Sequence, residues 1–216
     1  MKAYYDIVQG TEDWHKIRYA KIGGTLSKGL FIKSDTLAID IVSQLTEDFE
    51  LEEDSYASPE MIRGSELEPL AISELEKYTG VKFISAGWLQ SDVNELLGIS
   101  PDGISECETI TAETKCPSSK KHITTLLLND IPNDNIHQCL HYFTVNPKLE
   151  KHYFCSFRPE SIKRIFVKEL TRESLINLGT NAKPNIKTVN EWVKIALDEA
   201  NILKLDIYTK LEKLKF

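Results

Sequence analysis

Residues 97–117, LGISPDGISECETITAETKCP, decide how this chain is read. Ser100-Pro101-Asp102-Gly103 has proline and glycine where a tight turn favours them. Beyond it, Ile110 to Lys115 alternates as a strand does. Ile110, Ala112 and Thr114 point one way, and Thr111, Glu113 and Lys115 the other. Glu113 and Lys115 therefore share a face, which Asp102 can approach from a neighbouring strand or turn. Two carboxylates with the backbone carbonyl of Thr114 or Cys116 make an oxygen-rich pocket suited to octahedral Mg2+ or Mn2+. Such an ion polarises a phosphate and acidifies a bound water, while an ammonium orients that water or offsets developing charge. The pattern predicts metal-assisted phosphodiester hydrolysis. Taken singly its parts are ordinary, a turn and a solvated strand face; the ordered pair carries the reading.

Upstream, Asp13 to Ala20 reads as a helix capped by Thr11 and broken at Gly23-Gly24. Leu37, Ile41 and Leu45 recur every fourth residue, predicting a helix from about Thr36 to Leu45. The acidic run Glu47 to Asp54 reads as an exposed loop. Ser65 to Tyr78 reads as a helix ended by Gly80, with Pro69 in a tolerant first turn. Lys82 to Ser91 and Leu96 to Ile99 are strand candidates. Downstream, Lys120 to Asn129 and Asn135 to Val145 read as helices, and Lys151 to Phe157 with Arg164 to Leu170 as a hairpin. Val189 to Lys213 predicts one or two further helices. This order implies an α/β (α+β) fold, a central mixed sheet flanked by helices.

The 216 residues suit a single domain, 1–216, with about 172–216 as a helical C-terminal extension of it. Hydrophobic residues at 41% and charged residues at 27% are a core-forming composition, not a disordered one. No apolar run suits a membrane span and the start, MKAYYDIVQG, has no apolar signal core, so the chain reads as soluble and intracellular. A net charge of −7 argues against coating nucleic acid by bulk electrostatics, but leaves room for a local basic groove beside metal-binding carboxylates. Cys107, Cys116, Cys139 and Cys155 form no CxxC pair and read as free thiols; an iron–sulfur or zinc site would need ligands from four separate segments. His137 and His141 stand at i, i+4 but have no third ligand nearby in sequence.

Six segments occur in a fixed order: Thr11–Arg18 (TEDWHKIR), Arg63–Ala71 (RGSELEPLA), Leu97–Gly103 (LGISPDG), Glu113–Pro117 (ETKCP), His137–Tyr142 (HQCLHY) and His152–Phe154 (HYF). In this the chain resembles the phage lambda-type 5′→3′ alkaline exonucleases, the viral recombinase nucleases of the PD-(D/E)xK superfamily. The resemblance implies a restriction-endonuclease-like core and a Mg2+ cofactor that Mn2+ can replace. It implies Glu68, Asp102, Glu113 and the backbone carbonyl of Cys116 as metal ligands, with Lys115 and Gln138 joining Asp102 and Glu113 in catalysis. Arg18 falls on the arginine that holds the 5′ phosphate, Thr25 on a supporting hydroxyl, and Tyr142 on the tyrosine of a Q-x-x-x-Y spacing, read as a DNA contact. Implied partners are double-stranded DNA ends, further copies in a homo-oligomer such as a ring-shaped trimer, and a single-strand annealing protein. The implied location is the cytoplasm of a phage's host.

The chain departs from the pattern at Gly23-Gly24, where relatives carry a Thr-Ala type pair, and at Leu140, where many carry a second glutamine. Each residue also has a bland reading: Glu68 as a helix-dipole complement, Gln138 and Tyr142 as a polar edge and a core aromatic, Arg18 as a surface residue, Trp14 as packing. Besides a 5′-end exonuclease, the residues leave open a structure-specific or restriction-type endonuclease and a catalytically inactive DNA-end-binding module.

Overall fold

Strand β5 (Ile110–Lys115) runs antiparallel to β4 (Gly103–Ile104) on one side and parallel to β6 (Lys151–Phe157) on the other. Strand β7 (Ile165–Thr171) completes this mixed sheet antiparallel to β6, in the order β4-β5-β6-β7. The computed structural model describes residues 1–51, 58–180 and 182–215. A parallel pair needs a crossover, and α5 (Ser119–Leu128) with α6 (Asn133–Val145) supplies it between β5 and β6.

Side-chain alternation along the strands then makes three layers. Tyr153, Cys155 and Phe157 of β6 and Ala112 of β5 pack on Ala71 and Leu75 of α4 (Pro59–Thr79). Phe154, on the opposite face, joins the larger core with Cys139, Leu140, Tyr142 and Phe143 of α6. Covered on both faces, β5 has no solvated side: Thr111, Ala112, Glu113 and Thr114 are all buried. That sets Glu113 apart from a solvated strand face, while Lys115 at the strand end keeps 38% of its side chain exposed.

A second antiparallel sheet, β1 (Lys2–Tyr4), β2 (Trp88–Gln90) and β3 (Gly98–Ile99), leads through the Ser100–Asp102 turn into β4. Helices α1 (Glu12–Arg18), α2 (Lys28–Ile32) and α3 (Leu37–Leu45) precede α4. The chain ends with the two-stranded sheet of β8 (Leu175–Asn177) and β9 (Ile186–Thr188), followed by α7 (Val189–Leu214). Thr188 and Glu191 cap α7 reciprocally, a device worth about 1 kcal/mol. Helix α7 buries Trp192, Val193, Ala196, Ala200, Leu203 and Ile207 in the larger core, which Leu30 and Phe31 of α2 and Ile41 and Val42 of α3 share.

The mixed α/β architecture agrees with the sequence reading, and several details differ. Pro69 is not in a first turn, because α4 starts at Pro59, capped by Ser58, whose hydroxyl accepts from the Met61 amide. An interior proline costs about 3 kcal/mol, which the full burial of Ala71 and Leu75 against the sheet helps offset. Lys82–Ser91 is a strand only over Trp88–Gln90, with one isolated bridge joining Ile84 to Ile104. Helix α1 ends at Arg18, short of the Gly23-Gly24 break. Leu175–Asn177 and Ile186–Thr188 are strands, so the C-terminal stretch is helical only from Val189. Helix α2 and strand β1, at five and three residues, are too short to show a period. Of the expected acidic loop, Glu47–Asp48 and Glu50–Leu51 are exposed and Phe49 half-buried, while residues 52–54 lie outside the described residues.

Candidate active site

At the C-terminal end of β5, Glu113 is 1% exposed, and both its oxygens are held. Lys115 Nζ bonds Oε1, as the shared strand face predicts, and the Tyr142 hydroxyl of α6 donates to Oε2 at 2.5 Å. Asp102, in the turn before β4, accepts from the Thr114 amide at 2.6 Å and the Thr114 hydroxyl at 3.0 Å through one oxygen, Oδ2. Thr114 thus points away from Glu113 and fastens the turn to the strand. Glu68, on α4, is half-buried at the same end of the sheet.

Electrostatics ties these groups together. Burial, then the nearby Glu113 and Glu68 carboxylates, push the Asp102 carboxyl well above its usual range, while Lys115 and the Thr114 amide pull the other way. Burial and Glu113 likewise raise Glu68, and Lys115 lowers it. Lys115 is held above its ordinary value: burial works against its charge, but Glu113 and Asp102 outweigh it. Three carboxylates thus face one ammonium, an excess of two formal negative charges in a site largely withdrawn from water. Burying unpaired charge costs several kcal/mol per ion, and one divalent cation would neutralise this excess.

Among the described residues no three His, Cys, Asp or Glu side chains are close enough to hold a metal ion unaided. Mg2+ does not require such a cage, since it takes one or two carboxylates and keeps several waters. Asp102 and Glu113, with Glu68 close enough to act on the Asp102 carboxyl and to feel Glu113, are a donor set that fits that ion. The four cysteines are free thiols. Burial lifts the Cys116 thiol to about 11, which makes its sulfur a poor ligand at neutral pH.

The remaining expected site residues fall in different places. Gln138 is half-buried one helical turn before Tyr142, and its side chain lies so close to Gly24 that a Cβ there would meet it at 3.0 Å. Arg18 stacks on Trp14, its guanidinium carbon 3.7 Å from a ring centroid, and burial lowers its pKa. Trp14 in turn donates its indole N–H to the Ser100 hydroxyl at 2.8 Å and the Gly87 carbonyl at 3.1 Å. The arginine is thereby anchored to the turn that holds Asp102. Thr25 is exposed, and among the described residues no hydrogen bond joins it to Arg18.

Tyr142, expected as a DNA contact, is 1% exposed, with its hydroxyl on Glu113 and, at 3.3 Å, the Ser100 carbonyl. His137 and His141 diverge, His137 tilting over Phe31 while the fully buried His141 bonds the carbonyls of Ile22 and Gly98. The side-chain contacts of Thr114 and Ser100 are what sequence reasoning missed. Both act through contacts twelve or more residues apart, which no local spacing reveals.

Residues 13–148, well over half of the chain, match the model of the YqaJ-like viral recombinase domain. The chain belongs to that family. The matched stretch takes in Trp14, Arg18, Glu68, Asp102, Glu113, Lys115, Gln138 and Tyr142. No curated protein sequence matches the chain significantly. Among solved structures, an alkaline exonuclease (LHK-Exo) from Laribacter hongkongensis superposes with a TM-score of 0.75 at 20% identity, over 94% of this chain and 96% of that one. The same exonuclease in complex with dAMP gives 0.75 at 21%, over 95% and 96%. A phage-related exonuclease from Haemophilus somnus 129PT gives 0.51 at 10%, over 88% and 96%. At these identities the likeness is one of fold, and that fold extends through β6, β7 and α7, beyond the stretch the YqaJ-like model matches. No helix among the described residues is long and apolar enough to cross a membrane.

Proposed function

We propose that this chain is a Mg2+-dependent DNA exonuclease that degrades the 5′ strand of linear duplex DNA and leaves 3′ single strands for recombination by annealing. The observation that carries it is the gathering of Asp102, Glu113 and Lys115 at one strand end, in a chain of the YqaJ-like viral recombinase family. The alkaline exonuclease fold of the structural neighbours supports the same substrate class.

Asp102, Glu113 and the Cys116 carbonyl would hold the divalent ion, with Glu68 setting its affinity. When bound, that ion supplies positive charge to the scissile phosphate and acidifies a water. Tyr142 fixes the plane of the Glu113 carboxylate through Oε2, which confines Oε1 to the side of Lys115. The Lys115 ammonium, held charged by its carboxylate neighbours, orients the attacking water and offsets charge on the phosphate. Gln138 lines the approach beside Gly24. Arg18, braced by Trp14 on the Ser100 turn, holds the terminal 5′ phosphate at a fixed distance from Asp102, with Thr25 closing on it when DNA is present.

This reading extends to the assembly: a homo-oligomer, such as a ring-shaped trimer, that handles double-stranded ends and passes the 3′ strand to an annealing protein in the cytoplasm of a phage's host. Incubation with linear and circular plasmid, in Mg2+ and in EDTA, tests the reaction class. The proposal requires loss of the linear form alone, and only in Mg2+. Nicking of both forms would make the chain an endonuclease, and an untouched pair would make it a binding module.

A further inference from the structure

We infer that Arg63 and Arg158 form a phosphate-binding rim beside the acidic centre, and that Glu160 closes it in the free protein as an internal stand-in for a DNA phosphate. The inference rests on the nuclease reading and adds a substrate contact to it.

Because β5 and β6 are parallel, the turn after β6, residues 158–164, falls at the same end of the sheet as Lys115. Its sequence, RPESIKR, sets Arg158, Lys163 and Arg164 against a single acid, a basic element in a chain of net charge −7. Arg158 Nη1 donates to the Pro117 carbonyl at 3.1 Å, which fixes the side chain two residues beyond Lys115. From α4, Arg63 Nη2 reaches both oxygens of Glu160, at 2.8 and 2.7 Å, and Arg158 Nε stands 3.7 Å from Oε2. Arg63 also lies near enough to Cys116 to act on its thiol.

One carboxylate is therefore shared by two guanidinium groups, and a positive charge is left over. Arg63 Nη1 is buried and has no hydrogen-bond partner among the described residues, so Glu160 leaves part of that fork unused. Guanidinium forks take carboxylate and phosphate oxygens with the same geometry. Glu160 is 57% exposed, and ion pairs this open are weak, so a phosphodiester can displace it cheaply. The competing account is a simple strap between α4 and the turn. It predicts that removing the Glu160 charge loosens the fold and does nothing for DNA.

Fluorescence anisotropy with a labelled, 5′-phosphorylated duplex in EDTA, where no metal-dependent cleavage occurs, separates the two. The proteins are wild type, Glu160→Gln, Arg63→Ala, the double variant, and Glu150→Gln, which removes the same charge at the opposite end of β6. Glu160→Gln should tighten binding about two- to fivefold, the scale of releasing an exposed ion pair. Arg63→Ala should weaken it, lower the salt slope by about one, and abolish the gain when combined with Glu160→Gln. If Glu160→Gln binds no better than Glu150→Gln, or its gain survives without Arg63, the rim is refuted and the strap stands. If wild type binds no duplex at all in EDTA, the rim is refuted, while the nuclease reading is decided separately by the plasmid assay in Mg2+.

Discussion

The Tyr142 hydroxyl on α6 and the Glu113 carboxylate on β5 meet at 2.5 Å, both buried, across the interface between helix layer and sheet. Packing of α6 on the sheet and orientation of the carboxylate are thus one contact. Groups that orient a metal ligand from behind typically account for 10- to 100-fold in affinity or rate. Tyr142→Phe keeps the ring, which stacks on His152 at 4.3 Å, and removes only the oxygen. It should leave the circular dichroism unchanged, lower the hydrolysis rate about tenfold, and raise the Mg2+ concentration needed for half activity. A rate equal to wild type at limiting Mg2+ would reduce Tyr142 to packing.

The stack of Arg18 on Trp14 bears on polarity. A terminal 5′ phosphate carries more charge than an internal diester, and a partly desolvated guanidinium discriminates between them. Duplex with 5′-phosphate ends should be degraded faster than the same duplex with 5′-hydroxyl ends, and Arg18→Ala should erase the difference while metal-dependent cutting persists. Comparison of the two initial rates checks this. Equal rates on both ends for wild type would return Arg18 to a surface role.

Two buried imidazoles, His141 and His152, should weaken the fold in acid. Burial lowers His141 to about 4 and His152 to about 3, from an ordinary value of 6.5. A histidine whose folded-state pKa is depressed takes up its proton more readily in the unfolded chain. Its contribution is therefore whole above about pH 6.5 and is lost as pH falls from there toward the folded-state values. Complete loss at His141 alone amounts to roughly 3 kcal/mol. In Asp102→Asn, which lacks the raised carboxyl that would titrate in the opposite sense, the urea midpoint should fall between about pH 7 and pH 5. A flat midpoint across that window would contradict it.

How far the sequence could be read follows from the range of each interaction. Glu113 and Lys115 were legible because a strand's period of two needs no tertiary knowledge. Arg18, Glu68 and Gln138 came from the resemblance, and only the structure shows Arg18 braced through Trp14 on the Asp102 turn. Q-x-x-x-Y gives Tyr142 a spacing on α6 but not which face meets the sheet, so its burial against Glu113 shows only in the structure. In the same way Pro69 resembled a first-turn residue, since the capping Ser58 lies eleven residues earlier, beyond any apolar repeat. The Arg63–Glu160 pair spans 97 residues and has no local signal at all.

The most direct test of the central claim is the rate of nucleotide release from linear 5′-phosphorylated duplex, by wild type and by Asp102→Asn, in Mg2+ and in EDTA. Asparagine keeps an oxygen to accept from the Thr114 amide, so the turn should hold while one of the crowded negative charges is gone. Hydrolysis by wild type in Mg2+ alone, with the folded variant slower by about a thousandfold or more, is the predicted result. Near-wild-type release by folded Asp102→Asn, or release that persists in EDTA, would contradict it.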